Sequence, residues 1–276
     1  MTIHAAGEVK KAVRDRYARA ATKEASYCAP SCCGSTDATD VDAISQSIGY
    51  SAGELADVPE DANLGLGCGN PTAIASLTPG QTVLDLGSGA GIDCFLAARQ
   101  VGPSGKVIGV DMTPEMLERA RHNAESGGYT NVEFRLGEIE ALPVADQSID
   151  VIISNCVLNL STDKAKVLAE AHRVLRPGGR IVVSDMVCDH PIPSVLLGNL
   201  DAVAGCLPTL RETYLQEFRD AGFPDVRIVD ERAYPASYIL DDDGVREFRA
   251  LNPAEEGELA GFAASIVGAH FEATRR

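Results

Sequence analysis

Long apolar runs and an excess of positive charge are both missing from the 276-residue sequence. No stretch approaches the roughly 18 consecutive apolar residues of a membrane span, which argues against a membrane protein. Residues 1–11 are polar and charged and lack the apolar core of a secretory signal, so we expect a cytoplasmic protein. Lys and Arg total 24 against 40 Asp and Glu, a net charge of −16. That field repels phosphate backbones and argues against nucleic acid as a partner.

Paired metal-binding motifs are scarce as well. None of the eight cysteines forms a C-x-x-C pair, so a structural zinc site is poorly supported. Cys28-x-x-x-Cys32-Cys33 has the spacing of half a metal site, but the sequence offers no second half. In a chain without an export signal, eight cysteines indicate reduced thiols rather than disulfides.

The chain divides into three parts by its sequence pattern. Residues 1–70 contain an amphipathic helix over 1–27 and a linker with three thiols, and residues 71–240 alternate strands with helices. Within that core, residues 188–210 form an insertion rich in Pro and Gly, and 241–276 form a small extension expected to be helical after Asp243. Alternation of this kind predicts an α/β fold, a Rossmann-like doubly wound and mostly parallel sheet. The predicted strands are Thr82–Leu86, Lys106–Val110, Asn131–Arg135, Ile149–Ser154, Arg180–Asp185 and Val226–Glu231.

The most informative local motif is the glycine-rich stretch from Val83 to Gly91. Glycines after the first strand let the backbone approach a ligand, and the following helix presents its N-terminus. The glycines at 87, 89 and 91 depart from the dinucleotide pattern, and an acid, Asp85, stands two residues before the first of them. A carboxylate there lowers the cost of holding a cation. The motif resembles that of the Rossmann-like class I methyltransferases, which bind S-adenosylmethionine.

Later segments extend this resemblance. Asp111 ends the second strand, where an acid accepts hydrogen bonds from ribose hydroxyls, and Met112 could pack on adenine. The stretch from Gly137 to Pro143 matches the family's adenine-edge loop, and Asn155 ends the fourth strand. The candidate cofactor-binding residues are Asp85, Gly87, Ser88, Gly89, Gly91, Asp111, Met112, Glu138, Ile139 and Asn155.

No histidine has the position expected of a catalytic base. His122 and His172 lie in predicted surface helices, and His4 and His270 lie near the ends of the chain. His190 alone follows a core strand, and we interpret it as a loop residue. A hydroxyl or amine acceptor normally needs a base to remove its proton. The pattern therefore favours an acceptor that already carries a lone pair.

Cysteines lie where the acceptor is expected. Cys156 follows the fourth strand at the edge of the sheet where open α/β folds bind ligands, Cys206 lies in the insertion, and Cys68 lies in a glycine-rich turn. Thiols converging from separate loops suit a soft, thiophilic centre. We interpret the other cysteines outside the 32–33 pair as packing residues, namely Cys28, Cys94 and Cys188.

At this point the resemblance becomes specific. The motifs Gly-Leu-Gly-Cys68-Gly-Asn-Pro, Ser-Asn-Cys156-Val-Leu-Asn-Leu and Ala-Gly-Cys206 resemble those of arsenite methyltransferases, and the similarity runs from about residue 9 to about residue 240. The resemblance implies that Cys156 and Cys206 hold trivalent arsenic and that Cys68 is a third ligand for inorganic arsenite. The arsenic lone pair then attacks the sulfonium methyl group.

The resemblance also implies a redox partner for Cys68. A thiol in the N-terminal stretch, either Cys32 or Cys33, is expected to form a disulfide with it, and a reductant of the thioredoxin or glutathione type would reset the pair. The substrates implied are arsenite and methylated trivalent arsenicals, for arsenic detoxification.

Two other functions stay open from the sequence. A methyltransferase for a small organic acceptor such as a quinone precursor would leave Cys68, Cys156 and Cys206 without a role. A thiol-based metalloid sensor on the same scaffold would not need the intact loop from Asp85 to Gly91.

Overall fold

The computed structural model describes residues 4–22, 41–234 and 256–276, in which one sheet carries helices on both faces. Across the sheet the strands follow the order β3-β2-β1-β4-β5-β8-β7, with β6 paired to β5. Strands β1 to β5 are parallel, and β8 is antiparallel to β5 and β7. The predicted mostly parallel α/β fold is confirmed. The strands are β1 (Thr82–Leu86), β2 (Lys106–Asp111), β3 (Val132–Leu136), β4 (Ile149–Asn155), β5 (Leu175–Cys188), β6 (Thr209–Leu210), β7 (Arg227–Ala233) and β8 (Val267–Thr274).

Most of the helices lie before or between the strands along the chain. Short 3-10 turns occur at Glu60–Ala62 and Leu158–Leu160. At the short helix that begins with Pro71, the side chain of Asn70 accepts a hydrogen bond from the backbone N–H of Ala73. Asn at the cap and Pro in the first turn are residue types favoured at a helix start. The helices are α1 (Ala6–Ala21), α2 (Val41–Ser47), α3 (Ala52–Ala56), α4 (Pro71–Ile74), α5 (Ile92–Val101), α6 (Pro114–Ser126), α7 (Lys164–Val174), α8 (Ser194–Gly198), α9 (Leu200–Ala204), α10 (Arg211–Asp220) and α11 (Glu256–Ala264).

Alternating side chains of the central strands supply two separate cores. On one face of the sheet, Leu84 of β1 packs in a cluster with residues of α7 and α10. On the other face, the neighbouring Val83 packs in a cluster with residues of α5 and α6, Phe95 among them. Burying each such side chain contributes about 1.5–3 kcal/mol. The two cores fix β1 and β4 side by side and hold their carboxyl ends in place.

The position of β1 and β4 as neighbours in the strand order determines where the sheet can bind a ligand. The chain winds outward from β1 to β3 and then returns to build β4 and β5 on the other side of β1. Adjacent loops diverge at such a switch point, and ligands of open α/β sheets bind in the resulting crevice. The loop after Leu86 and the segment after Asn155 both leave the sheet there.

The end of the chain differs from the sequence prediction. Residues 256–264 form helix α11, but Val267–Thr274 is strand β8 and lies inside the sheet between β5 and β7. The helical prediction is therefore wrong for 267–274. Ala, Gly and Glu in this stretch have low intrinsic strand preference, and pairing with two flanking strands overrides it. The strand brings His270 opposite Ser184 of β5.

Candidate functional site

The loop after β1 requires glycine at its first and last positions. Gly87 has φ 70° and Gly91 has φ 100°, both in the left-handed region. A Cβ at Gly87 would lie 2.5 Å from the side chain of Val157, so the backbone passes close to the segment after β4. Gly91 caps α5, and a Cβ there would meet Phe95 at 2.8 Å and Phe134 at 2.9 Å. Gly87 therefore shapes the crevice, and Gly91 fixes the packing of α5.

A cavity of about 1130 Å³, including its solvent-facing part, opens beside this loop. Gly91 and Glu138, which the sequence places among the cofactor residues, do not line it; Glu138 instead pairs with Lys10 at 2.6 Å. The helix α1 closes one side of the cavity with Lys10, Val13 and Tyr17. The predicted cofactor-binding residues that do line it are Asp85, Gly87, Ser88, Gly89, Asp111, Met112, Ile139 and Asn155.

Three buried carboxyl groups face this cavity. Burial raises the pKa of Asp85 well above its usual range, and the charge of Asp93 adds to the effect. Burial also raises the pKa of Asp93, to about 6, against hydrogen bonds from Tyr50 and Asn155 that favour its charged form. The pKa of Asp111 is raised by burial too, opposed by backbone N–H groups that include that of Thr113. A cavity of this kind favours a positively charged ligand.

The cavity also fits a ligand with hydrogen-bonding groups. The hydroxyl oxygen of Ser88 is buried and has no hydrogen-bond partner among the described residues. Asp111 is held by the backbone N–H groups of Gly89 and Thr113, at 2.9 and 2.8 Å, so its carboxylate is fixed at the end of β2. Apolar side chains of Met112 and Ile139 lie nearby on the lining. The polar and apolar parts together suit a nucleoside carrying a cationic tail.

Sequence reasoning missed Tyr50 and Asp93 as lining residues. Tyr50 lies between two short helices and belongs to no recognisable motif, so only the fold brings it to the cavity. Asp93 offered a signal, since it is an acid in the otherwise apolar first turns of α5, two residues after Gly91. An acid on a helix that packs its neighbours into a core marks a candidate functional group.

Three buried thiols meet beside the cavity, and one of them, Cys156, lies on its wall. The sulfur atoms of Cys156 and Cys206 lie 3.2 Å apart. The sulfurs of Cys68 and Cys156 and a carboxylate oxygen of Asp185 all lie within 4.8 Å of one another. Cys156 also lines the cavity, so it connects the three thiols to the space that the carboxylates line. The thiol cluster, defined here as Cys68, Cys156 and Cys206, is the set of ligands that the sequence predicts.

Both Cys156 and Cys206 have unusual backbone conformations. Their φ angles are 59° and 71°, in the left-handed region that side chains other than glycine rarely adopt. Such residues cost of order 1–3 kcal/mol each and persist where the surroundings impose them. The backbone N–H of Cys156 donates to the carbonyl of Ser184 at 2.7 Å, which helps to impose this turn. Holding the two sulfurs together in this conformation therefore lowers the stability of the fold.

The surroundings of Cys156 favour its neutral thiol. The pKa of the Cys156 thiol is well above its usual range. Its hydrogen bond with Cys206 acts to lower the pKa, but Cys68, burial and the charge of Asp185 raise it. The Cys68 thiol donates to the carbonyl of Ser184 at 3.6 Å. A soft ligand that displaces the thiol protons is therefore needed to hold these sulfurs as thiolates.

Asp185 is a fully buried carboxylate beside the thiol cluster. It accepts hydrogen bonds from the side chain of Asn159 at 2.8 Å, the hydroxyl of Tyr214 at 3.0 Å and the backbone of Met186 at 2.9 Å. Its oxygen lies 3.8 Å from the sulfur of Cys206. Burial raises its pKa to about 6. Sequence reasoning missed this residue, since an acid at the end of a strand is ordinary on its own.

The other cysteines and His270 are the remaining residues that the sequence analysis considered. Cys32 and Cys33, together with Cys28, lie outside the described residues. Cys94 is buried on α5, where its thiol donates to Asp85 at 3.3 Å, and Cys188 is buried in the apolar cluster that flanks the thiols. His270 is a buried strand residue 3.5 Å from Asp230, rather than a residue of a peripheral tail.

Within the described ranges, no helix combines the length and apolar character that crossing a membrane requires.

Comparison with known proteins agrees with the fold. A family model described as a methyltransferase domain matches residues 77–221. An arsenite methyltransferase of Halobacterium salinarum is 51% identical over 251 residues, 87% of this chain and 63% of that protein. An arsenite methyltransferase of Aquipseudomonas alcaligenes is 43% identical over 185 residues, 63% of this chain and 52% of that protein. The chain thus spans about half to two thirds of the length of these curated relatives.

A solved structure gives the same result. The arsenic(III) S-adenosylmethionine methyltransferase of Chlamydomonas reinhardtii superposes with a TM-score of 0.57 at 34% identity. The match covers 85% of this chain and 71% of that one.

Proposed function

Since the chain belongs to the arsenite methyltransferase family of class I methyltransferases, we propose that it methylates trivalent arsenic held by cysteine thiols. The observation that carries the proposal is the 3.2 Å separation of the Cys156 and Cys206 sulfurs, with Cys156 on the wall of a cavity that buried carboxylates also line. A structural role for these cysteines does not require either the short separation or the left-handed backbone of both residues.

The thiol cluster binds the substrate by ligand exchange. Each bond between arsenic and a sulfur replaces a hydroxyl group of arsenite, which leaves as water with the thiol proton. Inorganic arsenite has three such groups and can bond Cys68, Cys156 and Cys206. A monomethylated arsenical has two and needs only the pair that lies 3.2 Å apart, Cys156 and Cys206. These numbers of hydroxyl groups allow two successive methylations on one cluster, to mono- and dimethylated products.

The carboxylate side of the cavity holds the methyl donor. When bound, S-adenosylmethionine supplies an electrophilic methyl group on a positively charged sulfur. Asp85 and Asp93 compensate positive charge, and their burial strengthens that attraction. Asp111 is fixed to accept hydrogen bonds from ribose, and Met112 and Ile139 offer apolar contacts to the base. Tyr17 and Val13 of α1 cover the cavity and exclude water.

The chain needs no proton acceptor for this reaction. Thiolate-bound trivalent arsenic keeps a lone pair, and the lining of the described cavity contains no histidine. The contribution of the protein is alignment. It places the thiol cluster beside the cavity that holds the methyl donor, here called the donor cavity, and Cys156 belongs to both.

Transfer of a methyl group to the lone pair oxidises arsenic to the pentavalent state. Its return to the trivalent state takes two electrons, which two thiols supply by forming a disulfide. Cys68 with Cys32 or Cys33 would provide that pair, and a thioredoxin- or glutathione-type reductant would reset it. The cycle needs a reducing compartment, in keeping with a cytoplasmic enzyme of arsenic detoxification.

A turnover assay tests the proposal. Reduced protein is incubated with S-adenosylmethionine, arsenite and a dithiol, and arsenic species are separated and quantified. We expect methylated arsenic from the parent chain and from the control Cys188→Ser, and a loss of at least about 100-fold in Cys156→Ser. Absence of methylated arsenic from protein that binds S-adenosylmethionine would overturn the proposed substrate and favour an organic acceptor.

A further inference from the structure

One side chain, Asn155, contacts both halves of the site. Its carbonyl oxygen accepts a hydrogen bond from the backbone N–H of Cys68 at 3.1 Å, and its amide nitrogen donates to the carbonyl of Gly69 at 2.8 Å. A Cβ at Gly67 would lie 2.9 Å from that nitrogen, so the backbone before Cys68 also packs against it. Three consecutive residues therefore take their position from Asn155, which itself directly precedes Cys156.

The same amide nitrogen faces two groups of the donor cavity. It lies 2.9 Å from the hydroxyl oxygen of Tyr50 and 3.2 Å from a carboxylate oxygen of Asp93. The hydroxyl of Tyr50 in turn donates to the other oxygen of Asp93 at 2.9 Å. Tyr50, Asp93 and Asn155 all line the cavity. A short hydrogen-bonded path thus connects the lining of the donor cavity to the Cys68 turn.

The number of partners at this nitrogen makes the path sensitive to charge. A carboxamide nitrogen has two protons, but Gly69, Tyr50 and Asp93 present three acceptors within 3.2 Å. An ionised Asp93 attracts one of these protons strongly. A cation in the cavity competes for Asp93, so the proton becomes available to the carbonyl of Gly69 and to Tyr50. The hydrogen bonds that fix the Cys68 turn then strengthen.

We propose that Tyr50, Asp93 and Asn155 form a coupling unit that makes arsenite bind more tightly when a cationic methyl donor occupies the cavity. In this unit Tyr50 is a positioning residue, because its hydroxyl orients Asp93 and Asn155 without touching the sulfur ligands. By linkage, arsenite tightens binding of the donor by the same factor. The coupling rests on the proposed function, since it presumes that Cys68 is an arsenic ligand.

The consequence is that a bound methyl donor fixes the Cys68 turn and thereby protects the thiols. With an empty donor cavity the Cys68 turn is held less firmly, and a bound donor completes the three-thiol site. Arsenite then accumulates mainly on molecules that are ready to methylate it.

Arsenite affinity, measured by calorimetry on the reduced full chain, tests the coupling. Titrations are done without a cavity ligand, with sinefungin, which carries an amine in place of the sulfonium, and with S-adenosylhomocysteine, which lacks that charge. We expect sinefungin to tighten arsenite binding about 5-fold or more and S-adenosylhomocysteine to do less. In Tyr50→Phe the ratio of the arsenite affinities with and without sinefungin should fall to about 1. Tyr129→Phe, which removes a hydroxyl bonded to the carbonyl of Asp57 away from the site, should keep it.

A second readout needs no arsenic. The alkylation rate of Cys68 by iodoacetamide, followed by peptide mass spectrometry, should fall when sinefungin is added to the parent chain and not in Asp93→Asn. An unchanged ratio in Tyr50→Phe, or a ratio of about 1 in the parent chain, would overturn the coupling. A parent chain that binds no arsenite at all would instead overturn the proposed function, and the alkylation measurement would still decide whether the cavity controls Cys68.

Discussion

The sulfur atoms of Cys156 and Cys206 lie 3.2 Å apart, although fifty residues separate them in the sequence. Cys156 begins the segment after β4, and Cys206 lies two residues after α9 within the 188–210 insertion. Each has a left-handed backbone conformation, and Asp185 lies beside the pair as a buried carboxylate. This pair supports the proposal of an arsenic rather than an organic acceptor, since it offers soft ligands beside the cavity.

Loss of Cys68 should separate the two methylation steps. In Cys68→Ser we expect methylation of inorganic arsenite to fall at least about 100-fold, because a third sulfur ligand is missing. Methylation of a monomethylated trivalent arsenical should stay within about threefold, because two thiols satisfy it. Product speciation with each substrate checks this, and equal losses with both substrates would contradict the assignment of Cys68 as the third ligand.

Binding of the methyl donor should strengthen as pH rises through about 6. The pKa of Asp93 is about 6 and that of Asp85 is well above its usual range, and a cation binds the ionised carboxylates. At pH 5.5 a proton must leave Asp93 before the cation binds, so the affinity is lower; above the raised pKa this cost disappears. Calorimetry of S-adenosylmethionine at pH 5.5, 6.5 and 7.5 measures the trend.

The variant Asp93→Asn should flatten that pH dependence. The exposed Asp189, which pairs with Arg211, offers a control in Asp189→Asn that should keep it. A parent chain whose affinity does not change over this range would contradict a role for the buried carboxylates in holding positive charge.

Substitution of Gly69 should disturb the turn that carries Cys68. A Cβ at this position would clash with the hydroxyl of Ser184 and lie 2.5 Å from Nε2 of His270, both buried. In Gly69→Ala we expect the free energy of unfolding to fall by about 1–3 kcal/mol, as in other overpacked sites. Gly261 in α11 has open space around it, so Gly261→Ala should raise the free energy of unfolding by about 0.5–1 kcal/mol. Urea unfolding of both variants compares them, and equal stabilities would contradict the close packing beneath Gly69.

Removal of the Tyr214 hydroxyl should destabilise the chain more at high pH than at low pH. The hydroxyl donates to Asp185, whose pKa burial raises to about 6. Because of this raised pKa, the folded chain favours neutral Asp185 below pH about 6. Above that pH Asp185 is ionised, and the buried carboxylate depends on its hydrogen-bond donors, the Tyr214 hydroxyl among them. In Tyr214→Phe we expect a loss of about 1–3 kcal/mol at pH 8 and a smaller loss at pH 5.

Unfolding in urea at the two pH values provides the measurement. Tyr129→Phe serves as the matched control, since its hydroxyl bonds a surface carbonyl at 3.3 Å, and its small effect should not depend on pH. A loss in Tyr214→Phe that is the same at both pH values would show that the hydroxyl does not stabilise an ionised Asp185.

Most of the sheet could be predicted because its local patterns agree with the final fold. Strand β1 (Thr82–Leu86) has the bounds that the sequence predicts, since an apolar run and the glycines after it mark its ends. Strand β8 could not be predicted, because Val267–Thr274 is rich in small residues and its strand conformation depends on β5 and β7. Here tertiary pairing decides, and local preference does not.

The thiol cluster could be predicted, but the groups that orient it could not. Cys156 lies directly after a strand at a recognisable sheet edge, so its position follows from the sequence pattern. Tyr50 and Asp185 acquire their roles only through contacts with residues far along the chain, at Asn155 and Cys206. No periodicity or spacing encodes such contacts, so the structure was needed to find them.

A single-turnover experiment tests the central claim most directly. Reduced protein is loaded with arsenite, separated from unbound arsenite, and mixed with S-adenosylmethionine in the absence of any added reductant. We expect protein-bound arsenic to become methylated in step with the formation of S-adenosylhomocysteine, about one equivalent per chain, and Cys206→Ser to yield none. If S-adenosylhomocysteine forms while the bound arsenic stays unmethylated, or if Cys206→Ser methylates arsenic as well as the parent chain, the thiol-held acceptor is contradicted.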